Sequence, residues 1–486
     1  MTDLVVAEMP LVDGDKALQA GQVLPGLAAP ARNPLLDHPI LKTLLKLAWP
    51  NVIALSAGTV VVIFETSYIG ILGTEALAAM ALVFPFVILT MTMSGGAMGG
   101  GVSSAISRAL GAGDRERASL LAAHALLIGI CFGLIFTVGM LVFGKSLLET
   151  LGGRGNVLSQ AVGYITIFFA GGVIPWIMNT LASVLRGTGN MKLPSLIQFS
   201  SAVSQIILGG VLGLGFGPIP EFGMPGVAAG SLIAYTIGTT VMGWYVFSGR
   251  ARVRPVMFGM KIQRAMFFDI LKVGAIACFS PLQSVLTITI FTHMLARFGT
   301  EVLAGYGIGA RLEFMLTSLA FAVGVASVPM IGMAIGAGRV ARARKVAWTA
   351  SWLAFSVVGV LGTLIAIFPD IWVNLFTQDP AVRAASQQYL GTAAPMYAFL
   401  GLATASYFSS QGAAKVLGPV LAQSARLVFI GIGGYWLVSI NAGVMSFFWL
   451  TAASMILLGV LSAATVFFAK WGPRGGPVPA IKAAIE

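Results

Sequence analysis

The chain has 486 residues, of which 57% are apolar and only 9% are Asp, Glu, Lys or Arg, and its formal net charge is +12. Ordinary soluble proteins contain about 25% charged residues, so this composition excludes that class. The mean hydropathy of +0.91 agrees with an integral membrane protein. Because a membrane helix needs about 20 apolar residues, a chain of this length has room for roughly twelve crossings.

Twelve hydrophobic segments follow one another along the chain and predict twelve transmembrane helices in an all-α integral membrane protein. Several are longer than a bilayer requires, which is typical of tilted helices. The predicted spans are residues 44–72, 77–107, 118–143, 158–185, 193–215, 224–248, 268–296, 303–332, 343–368, 384–410, 416–438 and 443–470.

Most of the 29 basic residues lie near the termini or in loops that follow even-numbered predicted spans. Basic loops remain in the cytoplasm, so we expect both termini and the even-numbered loops there. This placement explains the positive charge without nucleic acid, which we do not expect as a partner. The remaining basic residues are Lys145, Arg154, Arg297 and Arg383 in odd-numbered loops, with Arg311 and Arg426 inside predicted spans.

The chain contains an internal repeat at an offset of about 225 residues. Residues 72–80 (LGTEALAAM) match residues 298–306 (FGTEVLAGY), and Pro194 matches Pro419. Six helices separate matching positions, so the halves cross the membrane in the same direction. This arrangement predicts two six-helix lobes, which is typical of an alternating-access transporter.

The repeat and the loop charges predict five regions. We expect a disordered cytoplasmic tail over 1–40, an N-lobe over 41–249 and a basic cytoplasmic linker over 250–267. A C-lobe over 268–470 and a cytoplasmic tail over 471–486 complete the chain.

The sequence gives little indication of catalysis. It has no G-x-x-x-x-G-K-[ST] phosphate loop, and its three His and two Cys residues form no metal-binding pattern. We therefore expect no enzyme activity and no bound cofactor.

Four motifs are distinctive in combination: LLKLAWPNV at 44–52, FETSYIGILGTEALAA at 64–79, LRGTGNMKLP at 185–194 and YGIGARLE at 306–313. They resemble those of the multidrug and toxic compound extrusion (MATE) family, and the resemblance extends over residues 40–470. It implies a monomeric transporter, in a bacterial inner membrane, that exports amphipathic organic cations in exchange for H⁺ or Na⁺. The wider superfamily also includes flippases of lipid-linked precursors.

Glu65 is the first candidate for ion coupling, because a carboxylate inside a membrane helix is costly and usually functional. The resemblance places it where many relatives carry an aspartate that binds the coupling ion. Asn51 and Tyr68 share its helix face by spacing, and a Na⁺ site at Glu65 is one interpretation. The alternative is a protonated or paired glutamate that stabilises helix packing.

Glu313 lies near the middle of the eighth predicted span and is the second candidate. We expect it to bind the cationic substrate, the proton or each in turn. The alternative is a structural ion pair.

Weaker candidates for the substrate site are polar and adaptable apolar side chains. Polar stripes often only join helices, and Met and Phe often only pack, so both alternatives stay open. Position 209 holds glycine where the resemblance leads one to expect an acid. The candidates are Gln198, Gln205, Tyr397, Thr404, Met294 and Phe314.

These features favour a cation-coupled multidrug antiporter. The alternative is an exporter or flippase of a specific metabolite or lipid-linked precursor. An anionic cargo requires basic residues in the cavity, and only Arg311 and Arg426 fall within predicted spans. A membrane enzyme or scaffold is a third alternative.

Overall fold

The computed structural model describes residues 33–255 and 261–472. In these ranges ten helices are long and apolar enough to cross a membrane, and the bent pair in α4 brings the number to eleven. The predicted tenth span is also helical, so the predicted twelve-helix all-α fold is confirmed. The helices are α1 Ile40–Ile71, α2 Thr74–Gly111, α3 Arg115–Thr150, α4 Gly155–Ala170 with Val173–Gly187, α5 Lys192–Leu214, α6 Gly223–Phe247, α7 Arg264–Phe298, α8 Thr300–Gly336, α9 Val340–Ile367, α10 Pro380–Ala393 with Tyr397–Gly412, α11 Leu417–Ser439 and α12 Val444–Phe468.

Four of these helices have local breaks, and three of the breaks lie close to a proline. The segments of α4 meet at 49° just before Pro175, and α10 contains a 3-10 turn at Ala394–Met396 that includes Pro395. In α7 the break falls at Cys278, just before Pro281. Proline has no N–H to donate, so each of these breaks follows from the sequence. The fourth, in α2, is a π-helical turn over Thr92–Met98.

The internal repeat is visible in the backbone of the two lobes. Gly73 before α2 and Gly299 before α8 have φ values of 115° and 99° with nearly equal ψ values. Residues other than glycine rarely adopt this backbone conformation, which explains why glycine occupies both positions. The matching turns support the parallel relation between α1–α6 and α7–α12.

Ion pairs and hydrogen bonds bring the described N-terminal end and the basic loops after α2, α6 and α8 to one end of the helix bundle, which we call the basic side. The lobes pack together in this half. Cβ atoms added at Gly111 and Gly336 would overlap backbone atoms of Met333 and Arg108, so α2 and α8 touch there. Small residues permit such contact. Ser104 Oγ also donates to the carbonyl oxygen of Gln411 at 2.5 Å.

Two groups of charges join the lobes on the basic side. Asp269 in α7 pairs with Arg108 and Arg117 at 3.0 Å each and with Lys272 at 2.5 Å. We call these four residues the Asp269 cluster. On the other flank, Asp37 pairs with Arg339 at 2.8 Å.

Toward the opposite side the lobes separate. The outer segments of α2 and α4 pack mainly within the N-lobe, and the outer segment of α10 packs within the C-lobe. Each outer half has a hydrophobic core of its own. A cleft between the lobes therefore opens toward the side opposite the basic side.

The described residues refine the predicted regions at their edges. Residues 1–32, 256–260 and 473–486, in the predicted tails and linker, lie outside the described residues. The part of the N-terminal tail that is described differs from the prediction, because Pro34–Asp37 forms a short helix with Leu35 buried.

Candidate functional site

Glu65 lies inside the N-lobe between α1, α5 and α6, and only 6% of its surface is exposed. Gln205 Nε2 on α5 donates to Glu65 Oε1 at 2.7 Å, and Ser231 Oγ on α6 lies 3.4 Å from the same oxygen. Among the described residues no basic side chain lies within 4.0 Å of this carboxyl group. Its partners are neutral, so the group has unused capacity to hold a proton or a metal cation.

Three tyrosines lie in the N-lobe core near this carboxyl group, one each from α1, α4 and α6: Tyr68, Tyr164 and Tyr235. The Tyr68 hydroxyl is buried and has no hydrogen-bond partner among the described residues. A Cβ atom at Gly209 would lie 2.5 Å from that hydroxyl. Tyr68 therefore fills the space that an acid at position 209 would need.

Asn51 shares a face of α1 with Glu65 but lies fourteen residues away, about 21 Å along the helix axis. Its side-chain oxygen accepts a hydrogen bond from Ser195 Oγ at 2.9 Å. Asn51 thus joins α1 to α5 at the basic side and does not contact Glu65. Of the two predicted neighbours, the structure brings only Tyr68 to this site.

Glu313 lies in the C-lobe with 20% of its side chain exposed. Arg426 on α11 approaches Glu313 Oε1 at 3.9 Å, and Tyr389 Oη on α10 donates to Oε2 at 3.5 Å. Arg426 Nε also donates to Ser454 Oγ on α12 at 3.3 Å. Glu313 therefore takes part in a loose ion pair, and the contacts of this pair connect four helices, α8, α10, α11 and α12.

Tyr397 and Thr404 were predicted to share a polar stripe on α10. Tyr397 is fully buried, and its hydroxyl donates to the carbonyl oxygen of Gly309 at 3.2 Å. Thr404 is partly buried. The contact of Tyr397 joins α10 to α8 within the C-lobe.

Gln198 lies near the basic-side end of α5, away from Gln205. Its side-chain oxygen accepts a hydrogen bond from Arg186 at 2.7 Å. The predicted span 158–185 leaves Arg186 in a loop, but this residue belongs to the last turn of α4 and is 8% exposed. The prediction that only Arg311 and Arg426 lie within spans is therefore wrong, because α4 extends beyond residue 185.

The two apolar candidates differ in exposure. Met294 on α7 packs against Gly434 on α11, which is a packing contact within the C-lobe. Phe314 on α8 is 56% exposed and lies next to Glu313 in the chain. Phe314 is therefore exposed, whereas Met294 packs inside the C-lobe.

Ser231, Tyr164 and Tyr235 were not predicted, although they lie near Glu65. The sequence offered one indication that Tyr164 is important, its match to Tyr389 in the internal repeat. Within the described ranges no group of three or more His, Cys, Asp or Glu residues could hold a metal ion. A Na⁺ ion at Glu65 would need the oxygens of Gln205, Ser231 or the tyrosines as further ligands.

The MatE family model matches residues 50–211 and 277–437, one stretch in each lobe. The FAD transporter of Shewanella oneidensis is 27% identical over 377 residues, which cover 76% of this chain and 82% of that protein. A probable multidrug resistance protein NorM of Thermotoga maritima is 24% identical over 79% of this chain and 82% of that protein.

Two solved structures share the fold of this chain. A MOP superfamily transporter from Pyrococcus furiosus superposes with a TM-score of 0.83 at 22% identity, over 89% of this chain and 96% of that one. An outward-facing MATE family multidrug resistance transporter gives a TM-score of 0.80 at 22% identity over the same shares. Both support the two-lobed arrangement of twelve helices.

Proposed function

Because the chain belongs to the MatE family of membrane transporters, we propose that it is a secondary active antiporter that exports amphipathic organic cations in exchange for H⁺ or Na⁺. The observation that carries this proposal is the isolation of Glu65. A carboxyl group inside a membrane bundle with only neutral partners favours binding of a cation over permanent ionisation.

The coupling follows from the position of Glu65 between three helices. Ion binding neutralises the carboxylate and so weakens the hydrogen bond that it accepts from Gln205. The packing of α1 against α5 then differs between the loaded and empty states, which gives the ion a preferred conformation. Substrate that binds the other conformation drives the ion off.

The residues around Glu313 favour a substrate that is apolar and cationic. Phe314 exposes an aromatic face, which attracts cations. The charge of Glu313 is partly balanced by Arg426, and the 3.9 Å separation leaves that pair open to competition. A cationic substrate would replace Arg426 as the partner of Glu313.

The driving force depends on stoichiometry. Exchange of one proton for one monovalent cation is electroneutral and draws about 1.4 kcal/mol per pH unit. Exchange of two protons adds about 2.3 kcal/mol per 100 mV of membrane potential.

The test uses purified full-length protein in liposomes loaded with a fluorescent organic cation, with pH and Na⁺ gradients imposed separately. We expect one gradient to drive dye movement in the wild type and in Glu301→Gln, an exposed acid of the same lobe as Glu313. Glu65→Gln should lose the response. Equal gradient-driven rates in wild type and Glu65→Gln would contradict coupling at Glu65.

A second cargo is included because one relative is named an FAD transporter. Parallel liposomes contain FAD in place of the dye. Gradient-driven movement of FAD without movement of several cationic dyes would overturn the cation cargo.

A further inference from the structure

A buried positive charge that has no counter-charge among the described residues lies where the two lobes pack together. Arg186 is 8% exposed, and its guanidinium makes one hydrogen bond, to Gln198 Oε1 at 2.7 Å. Its Nε atom is buried and has no partner, and no carboxylate of the described residues lies within 4.0 Å of it. Removing such an ion from water costs several kcal/mol unless an opposite charge compensates.

The polar neighbours of Arg186 do not supply that charge. Gln198 Nε2 lies 3.5 Å from Asn179 Oδ1, and Asn179 Nδ2 donates to Ser94 Oγ at 2.8 Å. This chain of side chains connects α5, α4 and the π-helical turn of α2, and each member is neutral. These hydrogen bonds orient Gln198 toward the guanidinium but leave the charge of Arg186 unbalanced.

A small cavity adjoins Arg186. Ser103 lines it, and the Ser103 hydroxyl is buried and has no hydrogen-bond partner in the described chain. Gly95, Gly99 and Gly100 of α2 form part of the wall, and Ser183 Oγ and the unpartnered Gln411 Oε1 occupy the positions next to Gly99 and Gly100. The cavity has room for about one water-sized body. Two residues with an unpartnered donor, one of them charged, thus line a space of that size.

We propose that Arg186 binds a single chloride-sized anion in this cavity, at the base of the cleft. A chloride ion is larger than a water molecule by a few tenths of an ångström in radius, and it accepts hydrogen bonds from guanidinium and hydroxyl groups. It would balance the charge of Arg186 and give a partner to Ser103. Larger oxyanions do not fit the space between the lobes.

The fold by itself does not require a charge at this position. Gln411 occupies the position that matches Arg186 in the internal repeat. It is neutral, and its Nε2 donates to the carbonyl oxygen of Gly96 at 3.2 Å. A neutral amide, as in Gln411, is therefore sufficient for contact between helices at the lobe interface. The positive charge of Arg186 in the N-lobe therefore serves a further purpose.

The C-lobe closes this site. Its part of the wall consists of Val325 and Val328 of α8 and Phe408 of α10, and Ser183 of α4 completes the N-lobe part. When the lobes separate on the basic side, this apolar wall leaves and water reaches the guanidinium. The anion is therefore expected to bind more tightly to the conformation in which the lobes are packed there.

The test is thermal unfolding of the purified full-length protein in detergent, with bromide or chloride replacing gluconate at constant ionic strength. We expect a saturable rise in Tm of a few degrees for the wild type and for Arg311→Gln, whose arginine is exposed. Arg186→Gln should remove the saturable part, whereas any general salt effect remains. An identical saturable rise in Arg186→Gln would overturn the proposal.

A second measurement uses only the wild type, in case Arg186→Gln does not fold. Crystals soaked in bromide should show an anomalous peak within hydrogen-bond distance of both Arg186 and Ser103. Absence of a peak at this cavity, with bromide found elsewhere in the same crystal, would overturn the proposal. A peak only at surface lysines or arginines would also count against it.

Discussion

Tyr389 Oη donates to Glu313 Oε2 at 3.5 Å, and Tyr164, at the matching position of the internal repeat, lies beside Glu65. The repeat has thus placed one tyrosine next to one acid in each lobe. The acids come from helices that are not equivalent, because α1 corresponds to α7 and Glu313 lies on α8. The two sites share a tyrosine and differ in charge balance, since only Glu313 has an arginine partner among the described residues.

Gln205 is expected to be essential for coupling through Glu65. Gln205→Leu removes the 2.7 Å donor, and a hydrogen bond to a charged group contributes about 1.5–3 kcal/mol. We expect gradient-driven transport in proteoliposomes to fall at least several-fold. Gln283→Leu, which removes a similar amide contact to Ser424 in the C-lobe, is the control. Equal losses in both variants would show that the effect is on folding alone.

The Glu313–Arg426 ion pair predicts that the stability losses of its two single variants are not additive. Glu313→Gln or Arg426→Gln leaves the other charge without its partner, and such a loss costs about 1–3 kcal/mol. The double variant should lose less than the sum of the single variants. Thermal unfolding of the four proteins measures this coupling. Strict additivity would indicate that the 3.9 Å approach contributes nothing.

Gly209 is predicted to tolerate no side chain while Tyr68 keeps its hydroxyl. Gly209→Ala brings a Cβ atom to 2.5 Å from Tyr68 Oη, and overpacking of this kind costs about 1–3 kcal/mol. The Tm should fall, and adding Tyr68→Phe should restore part of it. Gly58→Ala on α1, with nothing within 4 Å, should leave the Tm unchanged or raise it slightly. Failure of Tyr68→Phe to rescue would place the conflict elsewhere.

The Asp269 cluster is expected to hold the lobes together on the basic side. Asp269→Asn leaves Arg108, Arg117 and Lys272 as three like charges. We expect the separated conformation to gain at least about tenfold in population, equivalent to about 1.4 kcal/mol.

Spin labels at Arg115→Cys and Ala341→Cys, in a Cys131→Ala background, measure this change by pulsed electron spin resonance. Both sites are exposed at the starts of α3 and α9. Glu116→Gln, an exposed acid without an ion pair in the described chain, should leave the distance distribution unchanged. The same distribution in Asp269→Asn and wild type would contradict a closing role for Asp269.

The ionisation of Asp37 determines how the flank away from the Asp269 cluster responds to pH. A side-chain hydrogen bond from Arg339 lowers the pKa of the Asp37 carboxyl group below its ordinary value. A lowered pKa in the folded state means that this contact is present at neutral pH and is lost only as the pH falls through the lowered value. The spin-label distance should therefore not change through Asp37 between about pH 5 and 8. A transition in that range that Asp37→Asn abolishes would contradict this.

The class of protein, the twelve helices and the parallel repeat could all be predicted from the sequence alone. They follow from local properties: run length, hydropathy and the recurrence of glycine and proline at matched positions. Glu65 and Glu313 could be identified in the same way, because an acid inside an apolar run is conspicuous wherever the helix packs. Helix ends were less certain, and an error of about one residue at the end of α4 moved Arg186 from a buried helix to a loop.

Which residues meet depends on the tertiary structure. Glu65 is 140 positions from Gln205 and 166 from Ser231, and Glu313 and Arg426 lie on helices whose contact no local pattern reveals. Asn51 illustrates the opposite error. It lies on the same face of α1 as Glu65, as its spacing predicted, but about four helical turns away and in contact with Ser195. Periodicity gives the face of a helix but neither the neighbour on that face nor the depth of contact. Those depend on how twelve helices pack at once, with small residues permitting approach at some crossings and bulky ones preventing it at others.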